Sequence, residues 1–175
     1  MAVVRPLLAM FSMLLLAGGI VLTFFIVLSG AHIYKVPVDL VYFLQADTSG
    51  ISGGNSQLQN PARWTYFSIC GAAGSHNANC GPVHAAQSFD PAHNFGTQDG
   101  VASAFMGTTK WFYLSRFAWV FYIIALFFAV CAFFLSIFAL CARLGSYLTG
   151  LTTAIALFFQ TVSYTHLTLP TKRIV

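Results

Sequence analysis

Histidine and cysteine residues between positions 30 and 116 are spaced in ways that allow two kinds of chemistry. Cys70 and Cys80 lie ten positions apart, and such a pair can close a small ring in an oxidising compartment. Alternatively, His76, Cys80 and His84 fall at intervals of four, and zinc accepts such ligands. The Gly-Pro pair after Cys80 would break an aligning helix. We expect a disulfide, worth about 3 kcal/mol in the chain-entropy model, and no metal or cofactor.

Catalytic patterns are weak in this sequence. Asp47-Thr48-Ser49-Gly50 resembles the aspartic-protease signature, but that signature needs Gly directly after Thr, and no second Asp motif is present. With no Glu and four scattered Asp residues, paired carboxylates for acid–base catalysis are hard to assemble. Loop chemistry at His84 or Asp90 is the remaining enzymatic hypothesis. We expect no catalytic residues and no enzyme activity.

The elements that position these residues are indicated by the distribution of charge. Only 12 of 175 residues are charged and the net charge is +4, which is too small and too scattered for a nucleic-acid surface. Charges are absent from three stretches of 29, 26 and 28 residues, and about 20 apolar residues cross a bilayer core. We predict spans at residues 7–29 and 117–142 and a partial span at 146–162. Arg5, Arg116 and Arg143 mark the membrane boundaries.

The first span has a signal peptide as its rival interpretation. Its apolar run is longer than the roughly 7–15 residues of a signal-peptide core, which favours a retained span. The Ser-Gly-Ala sequence at residues 29–31 keeps the rival open.

The second span carries small residues at steps of four and three. Such a stripe lets helices approach closely in lipid, so we predict a helix-packing seam, although Ala is also simply common. The seam comprises Ala125, Ala129, Ala132, Ser136 and Ala139. Cys131 and Cys141 of this span are expected to be lipid-buried thiols.

The third apolar run ends at Val162, where polar residues follow. The last residues, SYTHLTLPTKRIV, resemble a translated adaptor sequence. Residues 163–175 are therefore expected to be a non-native tail that should be left out of fold reasoning. A short natural basic C-terminus is the alternative.

Residues 30–115 form the only soluble part, and this loop carries most of the Gly, Pro and Asn. Alternation over residues 64–70 predicts a strand. Residues 36–44 are expected to form a second strand, with Pro37 at its edge or start. Residues 49–60 are typical of a turn-forming loop, and residues 111–116 are expected to begin the second helix early. Trp64, Tyr66 and Phe67 could form an exposed contact surface, or Trp64 could pack beneath the sheet.

The loop carries a motif that includes Asp47, Trp64, Asp90 and Pro91, and the chain carries these segments in order: FLQADTSGI, RWTYFSIC, NCGPVHAAQSFDPAHNFGT and YLSRFAWVFYIIALFFAVCAFF. This ordered set resembles the fungal Sur-seven/PalI family of four-span plasma-membrane proteins. The likeness covers the chain from the first span to about Val162.

The resemblance implies an all-α transmembrane helical bundle of the claudin-like four-helix type, truncated in the third span, with a small disulfide-tied, β-containing extracellular loop. Trp64, Cys70 and Cys80 match the claudin-like Trp-Cys-Cys pattern. The N-terminus would be cytoplasmic and residues 30–115 extracellular in a multi-pass plasma-membrane protein. Expected partners are the lipid bilayer and other membrane proteins of the same domain, or a second copy, with no nucleic acid.

The resemblance also implies a role without catalysis. Many members organise eisosome-type membrane domains and are linked to cell-wall integrity and endocytosis. The PalI branch instead assists ambient-pH signalling, and it is the alternative function. Functions that depend on a cytoplasmic tail are not carried over to this chain.

Overall fold

The computed structural model describes residues 4–31, 36–106, 109–139 and 143–168. Within them the chain is mostly helical and carries one small antiparallel sheet. It divides into two compact units, Met1–Phe24 with Phe121–Val162, and Phe25–Val120 with Ser163–Val175. The α-helices are α1 (Val4–Val27), α2 (Pro91–Phe95), α3 (Lys110–Ala139) and α4 (Arg143–Thr168). The strands are β1 (Leu44–Ala46), β2 (Ala62–Trp64), β3 (Ile69–Ala73) and β4 (His76–Ala78), and 3₁₀ turns occupy Val38–Leu40 and Ser103–Phe105.

Two described helices are long and apolar enough to cross a membrane. They are Leu7–Val27 within α1 and the whole of α3, Lys110–Ala139. Their large apolar side chains are mostly exposed, as Leu14 and Phe127 illustrate, which suits contact with lipid. The start of α3 at Lys110 confirms that residues 111–116 begin this helix ahead of the charge-free stretch.

The small residues of α3 lie on a different side of the helix from its large aromatic residues. Ala125 and Ala132 are buried, whereas Phe127, Phe134 and Phe138 are exposed. Within the first unit, a cleft of about 340 Å³ is lined from three helices, by Gly19 and Thr23 of α1, Ala125, Ala129 and Ser136 of α3, and Thr153 and Gln160 of α4, among others. The packing role of the small-residue seam stays a prediction.

Helix α4 continues past the point where the apolar run ends. Ser163, the first residue of the expected tail, is fully buried, and its hydroxyl donates to the carbonyl of Ala118 on α3 at 2.7 Å. The helix ends only at Thr168, so the polar residues after Val162 do not terminate it. The non-native origin of residues 163–175 stays a prediction.

The sheet of the second unit has the order β1-β2-β3-β4, with antiparallel neighbours throughout. The prediction of one strand over residues 64–70 is wrong, because a turn over residues 65–68 separates β2 from β3. The Thr65 amide donates to the Ser68 carbonyl at 3.0 Å, and the Ser68 amide donates to Thr65 Oγ1 at 3.1 Å. Trp64 is consequently paired with Ile69 on one face, and Cys70 lies on the opposite face with Arg63.

The predicted strand over residues 36–44 is also wrong for most of its length. Residues Val38–Leu40 form a 3₁₀ turn, and the strand begins only at Leu44. The amides of Leu40 and Val41 donate to carbonyls three residues back, at 3.2 and 3.3 Å. These local bonds occupy donors that a strand would have offered to a neighbour. The prediction that residues 49–60 are a turn-forming loop is confirmed.

An aromatic core fills the space beneath the sheet. Trp64 is 1% exposed, and its ring lies edge-on to Phe89 at 5.1 Å and to Phe95 at 5.6 Å. Phe105 contacts Phe89 in turn, at 5.4 Å. Trp64 therefore packs beneath the sheet as in the second alternative, and the contact-surface prediction is wrong for Trp64 and for Tyr66, which is also 1% exposed.

Candidate functional site

We call residues 36–106 the loop module, and its disulfide is the feature that the sequence indicated most directly. Cys70 on β3 is bonded to Cys80, which follows β4, so the disulfide prediction is confirmed. The Gly81 amide donates to the Ile69 carbonyl at 2.9 Å, which continues the β3–β4 connection past the bridge. In the described part of the chain, no three potential metal ligands come together, and the disulfide withdraws both cysteines from ligation.

Arg63 is a second organising residue, and the sequence reasoning missed it. It is only 6% exposed, yet its guanidinium meets neutral oxygens. Nε donates to Gln45 Oε1 at 2.8 Å, and the two terminal nitrogens donate to the carbonyls of Gly74, Ser75 and His76 at 2.9–3.1 Å. Its guanidinium carbon lies 4.6 Å from the centre of the Tyr42 ring. The side chain thereby joins β1 to the β3–β4 turn with the planar fork that lysine lacks.

The chain that follows α1 joins the module at the Thr65–Ser68 turn. Ser29 is 1% exposed, and its hydroxyl and carbonyl accept bonds from the amides of Tyr66 and Phe67 at 3.3 and 3.2 Å. The carbonyl of Gly30 accepts from the Ser68 hydroxyl at 3.1 Å. Gly30 has φ +78°, and a Cβ placed there would lie 1.8 Å from Thr65 Oγ1. We call this contact the Ser29–Gly30 junction.

Asp47 and Asp90, both from the predicted loop motif, cap turns of their own segments. Asp47 Oδ1 accepts from the Ser49 amide at 2.9 Å. That backbone bond, and then the Ser49 side chain, lowers the pKa of Asp47 below its ordinary value of 3.8. The stabilisation is therefore present above pH 3.8 and is lost as the pH falls through the lowered pKa.

Asp90 begins α2, the short helix that carries Phe95 into the core. Its carboxylate accepts from the His93 amide at 3.4 Å, Pro91 occupies the first turn, and Gly96 ends the helix with φ +68°. These are the residue types that favour a helix start and a helix end. Asn94 fixes the helix further by donating to the Ser88 carbonyl at 2.8 Å.

The two residues of the enzymatic hypothesis line two different grooves in the described part of the chain. Asp90 lines one groove together with His93 and Thr97, whereas His84 lines another with His93 and Arg116. His76 Nδ1 lies within hydrogen-bond distance of a different carboxylate, Asp39 Oδ2, at 2.8 Å.

Of the three arginines predicted to mark the membrane boundaries, the structure describes the side chain of one. Arg116 is exposed, with its guanidinium carbon 4.4 Å from the centre of the Phe112 ring. The side chains of Arg5 and Arg143, and all of Cys141, lie outside what the structure describes. Cys131 is a free, half-buried thiol.

Comparison with known proteins identifies the family of this chain of apolar helices and a disulfide-tied module. The sequence model of the SUR7/PalI family matches residues 8–169. The chain belongs to the SUR7/PalI family. No solved structure matches it.

Curated relatives of this SUR7/PalI chain come from two yeasts. It is 36% identical to Protein SUR7 of Candida albicans over 75% of its length, and 37% identical to SUR7 family protein FMP45 of Saccharomyces cerevisiae over 68%. It is 35% identical to the uncharacterized plasma membrane protein YNL194C of Saccharomyces cerevisiae over 85% of its length. The matches cover 46%, 37% and 49% of these relatives, so the chain spans half or less of their length.

Proposed function

We propose that this SUR7/PalI protein is a non-enzymatic, multi-pass plasma-membrane protein that organises eisosome-type membrane domains, with roles in cell-wall integrity and endocytosis. One observation carries the proposal: helices with broad exposed apolar faces are attached to a small folded module whose polar residues are used to hold its own turns. Such a protein is suited to lateral contacts in the bilayer rather than to turnover of a substrate. The relatives, which include a plasma membrane protein of Saccharomyces cerevisiae, support the location.

The proposed architecture is a claudin-like four-helix bundle of which this chain holds the first part. In it, the N-terminus is cytoplasmic and the loop module is extracellular. The Cys70–Cys80 bridge supports this orientation, since disulfides persist in oxidising compartments. The small-residue seam of α3 would pack against neighbouring helices, while Arg5, Arg116 and Arg143 would lie at headgroup level.

The partners proposed for the membrane domain are the lipid bilayer, other membrane proteins of the same domain, or a second copy of the chain. The exposed apolar residues of α1 and α3 support lateral partners of this kind, because they offer surface that water would not solvate well.

A PalI-type accessory role in ambient-pH signalling is the second candidate. The matched family is named after both SUR7 and PalI, whereas two of the relatives are named after SUR7 alone. These names favour the membrane-domain role.

Fluorescence microscopy of the full-length protein, tagged at the end proposed to be cytoplasmic, tests the proposal. We expect stable surface patches that coincide with an eisosome marker. Uniform membrane staining or internal staining would refute the organising role. Deletion of the gene separates the second candidate, because an alkaline-response defect with unchanged patches of the marker is expected only for the signalling role.

A further inference from the structure

A polar groove lies in the second unit beside the first turns of α3. Its volume is about 470 Å³, and its wall is formed almost entirely by amide, hydroxyl, imidazole and guanidinium groups. Its lining includes Asn55, Gln57, His84, His93, Phe112 and Arg116.

The charge in this groove is positive and unbalanced. Arg116 is exposed, and its guanidinium faces the Phe112 ring rather than a carboxylate. All four Asp residues lie in the described ranges, and none of them lines the groove. A guanidinium with no carboxylate in its groove favours an anion with several oxygens, because the guanidinium fork pairs with two oxygens at once.

The helix that carries Arg116 also carries an exposed apolar track. The charge-free stretch of α3 begins at Phe117, directly after Arg116. Tyr113, Phe117 and Val120 are 55%, 56% and 41% exposed, and their spacing of four and three residues places them on one helical face. Arg116 is three residues from Tyr113 and four from Val120, so it borders this apolar face. A cationic polar groove whose arginine borders an exposed apolar face matches a ligand with an anionic head and an apolar tail.

We propose that this groove binds the phosphodiester headgroup of a phospholipid, with Arg116 pairing with the phosphate oxygens and the acyl chains following Tyr113, Phe117 and Val120. The inference rests on the proposed function, because membrane embedding places the start of α3 at headgroup level, and it names a lipid partner for that role. Inorganic phosphate shares the head chemistry but has no use for the apolar track.

Native mass spectrometry of the purified protein in detergent tests the site. The probes are dioleoylphosphatidylglycerol, dioleoylglycerol, which has the same chains without phosphate, and inorganic phosphate. The test variant is Arg116→Gln. Lys110→Gln is the matched control, because Lys110 lies at the start of the same helix, over the Trp111 ring at 5.5 Å, and does not line the groove. Continued protection of the Cys70–Cys80 bridge from thiol reagents verifies the fold of each variant.

We expect the protein to retain dioleoylphosphatidylglycerol but not dioleoylglycerol. Arg116→Gln should weaken retention at least about tenfold, Arg116→Lys should weaken it less, and Lys110→Gln should change it by less than about twofold. Equal retention of both lipids, or equal effects of Arg116→Gln and Lys110→Gln, would overturn the site. Displacement of the lipid by millimolar inorganic phosphate would overturn the lipid as its ligand.

The outcome is separable from that of the proposed function. A protein that forms surface patches in cells but does not distinguish the two lipids refutes the headgroup site alone. Selective lipid retention by a protein that stains the membrane uniformly refutes the organising role and leaves the site standing.

Discussion

At the scale of single residues, the loop module depends on a few side chains that replace the large core its size does not allow. Arg63 supplies hydrogen bonds to four oxygens from two parts of the sheet. Gly30 permits an approach to Thr65 that no side chain could share. Sequence patterns do not reveal the role of either residue, because both act through partners that are distant along the chain. The available signal for Arg63 was the single charge within the otherwise uncharged run RWTYFSIC.

Replacing Arg63 should loosen the β3–β4 turn. Arg63→Met keeps the apolar stem but removes every donor to Gly74, Ser75 and His76, so we expect a loss of about 2 kcal/mol. This corresponds to roughly thirtyfold faster hydrogen exchange of the turn amides if they exchange by local opening. The exchange rate in Arg63→Lys should lie between those of the unmodified protein and Arg63→Met, since lysine keeps the charge but lacks the planar guanidinium fork.

Gln45→Ala is the control for Arg63, because it removes only one of the partners. We expect it to change exchange at the turn only slightly. An Arg63→Met protein whose turn exchanges at the rate of the unmodified protein would show that the guanidinium is a bystander.

Glycine at position 30 should be replaceable only at the cost of the Ser29–Gly30 junction. Gly30→Ala combines a positive φ of +78° with a Cβ contact of 1.8 Å to Thr65. Gly74→Ala is the matched control, because its φ is +62° but a Cβ there meets nothing within 4 Å. We expect amide protection at Tyr66 and Phe67 to be lost in Gly30→Ala and kept in Gly74→Ala, as hydrogen exchange would report. Equal losses in both variants would assign the effect to backbone conformation alone.

At the scale of elements, the sequence indicated the long helices well and the strands poorly. Charge-free stretches predict helices reliably because a bilayer core admits little else, and α3 begins early as expected. Alternation failed at residues 64–70, since the Thr65 hydroxyl donates to the Ser68 carbonyl and accepts from the Ser68 amide, which closes a turn between β2 and β3. The roles of Asp47 and Asp90 were likewise hidden, because caps depend on where a turn closes rather than on composition.

The Cys70–Cys80 bridge should hold the β3–β4 hairpin and the segment that follows it. A double Cys70→Ser, Cys80→Ser variant is expected to lose about 3 kcal/mol of module stability. Limited proteolysis should then cut the hairpin faster than in the unmodified protein. Cys131→Ser is the control, because that thiol is free and lies in α3.

Thiol mass-tagging checks the bridge independently. The intact protein should carry two fewer tags before reduction than after it, which matches one bridge between two cysteines. Free labelling of Cys70 and Cys80 without reduction would contradict the bridge, and it would remove the main support for an extracellular module.

At the scale of the whole molecule, the orientation of the loop module is the property that most other proposals require. The loop carries no Asn-x-Ser/Thr acceptor, so one can be introduced against an empty background. Ala86→Asn creates the acceptor Asn-Gln-Ser at residues 86–88. Position 86 already has a φ of +55°, which Asn tolerates better than most residues.

The introduced acceptor should be glycosylated in fungal cells if the module enters the secretory lumen. We expect a slower band on gels that an endoglycosidase removes. Ala86→Gln occupies the same position without creating an acceptor, and it should give no shift. An Ala86→Asn protein that reaches the membrane without a glycan would place the module on the cytoplasmic side.

The Ser29–Gly30 junction has a consequence for the order in which the protein is made. Ser29 and Gly30 leave the ribosome well before the Thr65–Ser68 turn that binds them. They are therefore already available, directly after α1, when that turn emerges. The module is also held by Ser115 on α3, whose hydroxyl accepts from the Phe89 amide at 2.9 Å. A nascent chain in which α3 has not yet been synthesised therefore lacks the contact between Phe89 and Ser115. The module therefore completes its contacts only after α3 has been synthesised, although the segment that follows α1 is available much earlier.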